Sequence, residues 1–437
     1  MQATASPRVR RIQTLSLALM VTAGVVNYVD RATLAVASPL IRQDLGLTLS
    51  DMGLLLSAFL WAYAFAQLPA GALADRLGPR LMLTLGLGCW SLGQMLGGAV
   101  TSFWTFVGAR VVLGIGEAPH FPTCARVSRD WFNIRQRGTA TGIWNCASSL
   151  GSFVALPLLT LLMVSFGWRA MFVAMGAAGL VLAGAIYLVF RNPREVALSP
   201  EERAFLTEGD APGAPARVTF ADWRRLFGYR TTWGMIMGYF GCIYMTWLYT
   251  AWLSSYLEIE RHFTLQKTGI VGAIPFAFGV VGGILGGRIV DVLIRRGIDP
   301  IRSRKIPMAA ALAATAACTV VAALTPSDAL AIACISASLF LVYVCSSSAW
   351  AMASVAAPPH CTASLGAMQN FGGYIGGALA PTVTGFIVER TGHFSLAFVT
   401  GAVIALVAAL GYWFLIQDPI PAAALGGRGV AGLRPAE

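Results

Sequence analysis

Apolar residues run along this chain in blocks of about twenty, not in the alternation of a strand or the one-sided stripe of a soluble helix. The blocks occupy 13–37, 52–74, 81–101, 103–124, 139–163, 168–190, 231–257, 266–292, 306–325, 328–352, 362–388 and 393–417. A helix rises 1.5 Å per residue, so about 17 to 25 residues cross a hydrocarbon core. The pattern predicts an all-α membrane protein with twelve transmembrane helices. A polar interruption at 191–230 divides it into two six-helix halves, 1–190 and 231–417, with 418–437 as a tail. Within the interruption, Ser199, Pro200 and Glu202 have the spacing of a capped helix start. The stretch "DAPGAP" is too poor in hydrophobics to fold, and "FADWRRLF" reads as an amphipathic turn on the membrane surface.

Composition agrees: of 437 residues 57% are hydrophobic and 12% charged, which excludes an ordinary soluble protein. The net charge of +11 does not point to nucleic acid, because the basic residues form no stripe interleaved with aromatics. They sort by side instead. With the amino terminus inside, 24 of 31 Lys and Arg fall in cytoplasmic segments and five in outward loops: Arg42, Arg169, Arg261, Lys267 and Arg390. That asymmetry places both termini in the cytoplasm. The first span follows Arg8, Arg10 and Arg11, but its length and lack of a small-residue cleavage site set it apart from a signal peptide. Eight cysteines lie in or beside apolar spans without a CxxC pair, and His120, His262, His360 and His393 are scattered, so neither a metal nor a cofactor is expected. The run Ser346 to Ser348 has no histidine at matched depth and no phosphate loop is present, which argues against an enzyme or an ATP-driven pump.

Four charges stand deep inside apolar spans: Asp30, Arg31, Arg110 and Glu117. A charge at the bilayer centre costs about 2.5 to 3.5 kcal/mol on insertion scales, so such residues pair or face a wet cavity. Asp30 on the outgoing first span and Arg110 on the returning fourth lie at about the same depth, roughly 10 Å below the outer surface, and are expected to meet. Neighbours on a helix point about 100° apart, which turns Arg31, with Tyr28, toward a central cavity. Glu117 shares a face with Arg110 about 10 Å deeper, with Gly114 and Gly116 leaving that face open to a neighbour or a substrate. A carboxyl at that depth without a permanent partner suits proton coupling. The alternatives are a static Asp30–Arg110 pair and an Arg31 that snorkels to headgroups.

The two halves echo each other. "GALADRLGPR", from Gly71 to Arg80, follows the second span, and Gly287 and Asp291 repeat its Gly-x-x-x-Asp spacing after the eighth. Pro157 and Pro381 are each followed about ten residues later by a glycine, Gly167 and Gly392, opening the next helix. The first stretch resembles the signature of the major facilitator superfamily, with Pro79 where that signature usually has a basic residue. Gly71, Asp75, Arg76 and Arg80, with Asp291, read as a conformational latch; a topogenic charge cluster is the simpler reading.

"NYVDRATLAVASPLI", "GEAPHFPTCARVSRDWF" and "MQNFGGYIGGALAPTVTGFIVERTG" together resemble the anion:cation symporter family, whose bacterial members carry organic acids with protons across the inner membrane. The resemblance implies the major facilitator fold, a small organic acid anion and protons as partners, a proton gradient in place of a cofactor, and a monomer in the lipid bilayer. In the pattern of the family's galactonate symporters, Asp30 and Glu117 match protonatable carboxyls, Arg31 the substrate anchor, and Arg110 the switchable partner of Asp30. Tyr28 and Tyr63 match pocket tyrosines; Ser347, Trp350 and Asn370 match contacts to the hydroxylated tail. Ser148 stands where that pattern has a glutamine and Ala349 where it has a threonine, which predicts a less hydroxylated carboxylate, aromatic ones included. Helix packing is the competing role for Ser347, Trp350 and Asn370. At the level of the whole protein, the competing reading is a drug/proton antiporter of the same fold, which would line its cavity with acids where Arg31 stands here.

Overall fold

The computed structural model describes residues 5–208, 224–357 and 361–421 and is all-α among them. The helices are α1 (Pro7–Leu45), α2 (Leu49–Leu77), α3 (Pro79–Ala99), α4 (Phe103–Glu117), α5 (His120–Trp131), α6 (Ile134–Val189) and α7 (Pro200–Leu206). They continue with α8 (Arg230–Ile259), α9 (Leu265–Val271), α10 (Ala273–Arg295), α11 (Arg302–Leu324), α12 (Asp328–Ala356), α13 (Thr362–Thr391) and α14 (Ser395–Leu415). Among the described residues, eight segments are long and apolar enough to cross a membrane: Pro7–Leu45, Leu49–Gln67, Thr139–Val189, Leu265–Arg295, Arg302–Leu324, Asp328–Ala353, Ser364–Thr391 and Ser395–Leu415. The fold is that of a multi-pass membrane protein. "DAPGAP" and the first half of "FADWRRLF" lie outside the described residues.

Helix breaks fall where backbone chemistry demands them. Gly167 interrupts α6 with φ 80°, and Gly392 follows α13 with φ 76°, both in the left-handed region that favours glycine. The apolar block 103–124 is not one helix but two, α4 and α5, separated at Ala118 and Pro119. Proline has no N–H to give to the ladder and its ring crowds the carbonyl four residues back. The block 266–292 is likewise divided, at Gly272. On the polar side, Ser199 caps α7 in a reciprocal box with Glu202 and Pro200 takes the first helical position. Ser6 caps α1, and its hydroxyl donates to Glu202 at 2.6 Å.

Two compact units form. The first comprises Met1–Pro212 with Trp247–Val280 and Ala378–Phe394. In it α1 packs on α6, α3 on α6 and α4, and α2 on α4. At the end remote from the amino terminus, Thr382 donates to the Ser57 hydroxyl at 2.7 Å and the Trp252 indole to the Pro381 carbonyl at 3.1 Å. The first bond joins α13 to α2, and the second joins α8 to α13. The second unit comprises Gly213–Thr246, Val281–Gly377 and Ser395–Glu437, with α11 packed on α12 and α14.

Candidate functional site

Four ionisable side chains are buried together in the first unit, with exposures of 0% for Asp30, 4% for Arg31, 1% for Arg110 and 0% for Glu117. Helices α1 and α4 carry two each. Two glycines set the spacing around α4. A Cβ at Gly114 would lie 2.5 Å from the Phe59 carbonyl of α2, and one at Gly116 would collide with the Trp90 backbone of α3. The face between Arg110 and Glu117 is therefore occupied by neighbouring helices.

The pairing differs from the one expected from depth. Arg31 Nε donates to Glu117 Oε2 at 2.7 Å, whereas the side-chain atoms of Asp30 and Arg110 have no hydrogen-bond partner among the described residues. The reason is the lean of helical side chains toward their own amino-terminal end. On α1 that lean carries the long Arg31 side chain down to the depth of Glu117. On the opposite-running α4 it carries Arg110 away from Glu117. Asp30 stays within electrostatic range of Glu117, Arg110 and the Trp90 indole.

Aromatic rings surround the guanidinium groups. Arg31 Cζ lies 4.8 Å from the Tyr28 ring centroid, 5.2 Å from Phe59 and 4.9 Å from Tyr63, and Arg110 Cζ lies 5.0 Å from Phe59. Ser148 donates to the Asn145 carbonyl at 2.7 Å and reaches toward the Tyr28 hydroxyl. Residues that sequence reasoning did not single out also gather here: Asn27, Phe59, Trp90 and His120, all buried. Asn27 could have been found as a polar residue inside an apolar block, while the two aromatic rings carry no such signal.

The second unit holds three of the candidates for substrate contact. Ser347 donates to the Gly283 carbonyl at 2.8 Å, tying α12 to α10. Trp350 is 52% exposed and its ring meets Tyr239 edge-on at 6.1 Å. Asn370 is half-buried on α13, beside Gln369, whose amide donates to the Ala349 carbonyl at 3.2 Å.

Of the candidate latch, Gly71 and Asp75 lie on α2 outside the residues whose surroundings are described, and Arg76 is exposed. Arg80 bonds the Tyr187 carbonyl through Nε at 2.9 Å and Nη2 at 2.6 Å, and pairs with Glu195 at 3.3 Å. It thereby clamps the start of α3 to the end of α6. Asp291 is exposed on α10, within electrostatic range of Arg304.

Comparison with known proteins adds four findings. The Major Facilitator Superfamily model matches residues 20–381. The chain is 42% identical over 415 residues to a probable L-galactonate transporter of Escherichia coli (strain K12), covering 95% of this chain and 92% of that one. It is 32% identical to a D-galactonate transporter of Escherichia coli O6:H1, over 95% and 97% of the two chains. The fold resembles a bacterial homologue of the human lysosomal transporter Spinster, solved inward-facing and unoccupied, with a TM-score of 0.77 at 20% identity over 94% and 98% of the chains.

Proposed function

The chain belongs to the major facilitator superfamily and is a secondary transporter of small organic acid anions, and we propose that it carries its substrate inward together with protons. The observation that carries this reading is the buried Arg31–Glu117 ion pair at 2.7 Å. A substrate carboxylate and Glu117 compete for one guanidinium, whose planar fork suits two oxygens. Protonating Glu117 frees Arg31 and leaves a buried positive charge that draws in an organic anion; deprotonation restores the pair and expels it. Proton and anion each raise the affinity for the other. Asp30 is the second proton site, linked to Arg110; Tyr28, Tyr63 and Ser148 of the first unit, and separately Ser347, Trp350 and Asn370 of the second, are assigned to substrate by their match to the family pattern.

The proposed architecture has twelve spans in two six-helix halves, 1–190 and 231–417, working by alternating access in the bacterial inner membrane with both termini cytoplasmic. In it α4 with α5, and α9 with α10, each make one broken span, and α6 makes two. Gly71, Asp75, Arg76, Arg80 and Asp291 serve as its latch. Among organic acids, sugar acids come first because the two relatives are named for galactonates. The less hydroxylated alternative rests on Ser148 and Ala349, which shorten the reach available to hydroxyl groups. Counterflow in proteoliposomes, with L- and D-galactonate, aromatic carboxylates and lipophilic cations as competitors, separates these readings. Competition by galactonates alone supports the sugar-acid reading; competition by cations alone overturns anion symport in favour of drug antiport.

A further inference from the structure

One ring touches both buried guanidinium groups. Phe59 is fully buried on α2, with Arg31 Cζ 5.2 Å and Arg110 Cζ 5.0 Å from its centroid. Tyr63 at 5.9 Å and Trp247 at 6.2 Å, centroid to centroid, hold it in place. The close approach at Gly114 brings this turn of α2 against α4. Arg110 needs such a contact more than Arg31 does. Its three guanidinium nitrogens have no hydrogen-bond acceptor among the described residues, yet it is enclosed by protein. A buried cation without an acceptor is costly, and the negative face of an aromatic ring is a neutral group that lowers that cost.

We infer that Phe59 is a positioning residue: its ring is the resting face of the Arg110 guanidinium while Asp30 is protonated, and Arg110 leaves the ring for Asp30 when Asp30 ionises. This rests on the proton-coupled reading above and specifies how coupling is balanced. The charged groups acting on Arg110 are Glu117 of its own helix and Arg31 and Asp30 of α1. Glu117 is held by Arg31, so Asp30 is the carboxylate that competes with the ring. The other helices packed on α4 bring rings to this place: Phe59 and Tyr63 from α2, and Trp90 from α3. The strength of the ring–cation contact thus sets how readily Asp30 takes up its proton. A weaker ring releases Arg110 to Asp30, favours the ionised carboxylate and demands a more acidic medium for protonation.

The test replaces Phe59 with phenylalanine carrying one, two or three ring fluorines, which drain the negative face with little change of shape. Proton-driven uptake is then followed from pH 5 to 8. With each variant's uptake normalised to its own value at saturating acidity, the midpoint of the pH dependence should move stepwise to lower pH, by about one unit for the trifluoro ring. Phe59→Leu, which has no ring, should move it at least as far. Superimposable midpoints across the fluorinated series, or a loss confined to maximal rate, would overturn the role of Phe59. If uptake by the unmodified protein does not respond to pH, it is the proton-coupled reading itself that fails, and the inference with it.

Discussion

At the scale of the residue, the Arg31–Glu117 pair is the feature on which the proposed chemistry turns, and it is open to two substitutions. Arg31→Lys keeps the charge but replaces a planar fork with a point donor. Substrate binding should weaken by about tenfold or more, since hydrogen bonds to charged groups contribute about 1.5 to 3 kcal/mol each; equilibrium binding to purified protein measures it, and affinity equal to wild type removes Arg31 as the anchor. Glu117→Gln imitates the protonated carboxyl. Preloaded vesicles carrying it should still exchange substrate for substrate, yet fail to concentrate it under an imposed proton gradient. Uphill accumulation by this variant would exclude Glu117 from coupling. All four buried charges were legible in the sequence, because a charge in an apolar block has few reasons to be there. Their partners were not, because depth along a helix ignores the direction in which side chains lean.

At the scale of the element, the breaks are local and separately testable. Gly167 sits at φ 80° with open space where a Cβ would go, so Gly167→Ala should cost about 1 to 2 kcal/mol through backbone conformation alone. Gly184, in the same helix with equally open space and no left-handed backbone, supplies the control: Gly184→Ala should be neutral or slightly stabilising. Thermal unfolding in detergent compares the two, and equal effects would refute the backbone explanation. At the polar side, hydrogen bonds from the Ser6 hydroxyl and the Ser199 backbone hold the Glu202 carboxyl below its ordinary 4.5. A lowered carboxyl contributes stability above its unfolded value that is lost as pH falls through the folded one. Amide protection of the first turn of α1 and of α7 should therefore persist down to about pH 4.5 and fall below it. In Ser6→Ala the folded value returns toward 4.5, so the acid-induced loss should be smaller and complete at higher pH; unchanged protection profiles would count against the Ser6–Glu202 tie.

At the scale of the whole molecule, proposed coupling predicts that substrate affinity weakens as pH rises, because protonation of Glu117 and binding of the anion favour each other. Titrations between pH 5 and 8 should show this slope in the wild type and a flatter one in Glu117→Gln. A wild-type affinity independent of pH across that interval points to sodium coupling or to facilitated diffusion. The multi-pass, all-α character was plain from the apolar blocks, and so was the boundary between the fifth and sixth of them, which falls at Gly167. Less visible was the grouping of the chain, since Trp247–Val280 and Ala378–Phe394 fall in the first unit, with Thr382 bonded to Ser57 of α2 and Trp252 bonded to Pro381 between the two segments.

By itself the sequence determined whatever depends on composition and on neighbours along the chain: apolar blocks of membrane-crossing length, the capped start of α7, the helix breaks at Gly167 and Gly392, and the four charges that have no place in lipid. These are legible because helix length, capping and desolvation act locally and reward particular residue types at fixed spacing. Tertiary structure decided which charge meets which. It set Arg31 rather than Arg110 against a carboxylate, closed the glycine face of α4 with the backbones of α2 and α3, and put the Phe59 ring against both guanidinium groups. Those outcomes depend on the running direction of two helices and on how closely three can approach, quantities that emerge only when segments far apart in the chain are packed together.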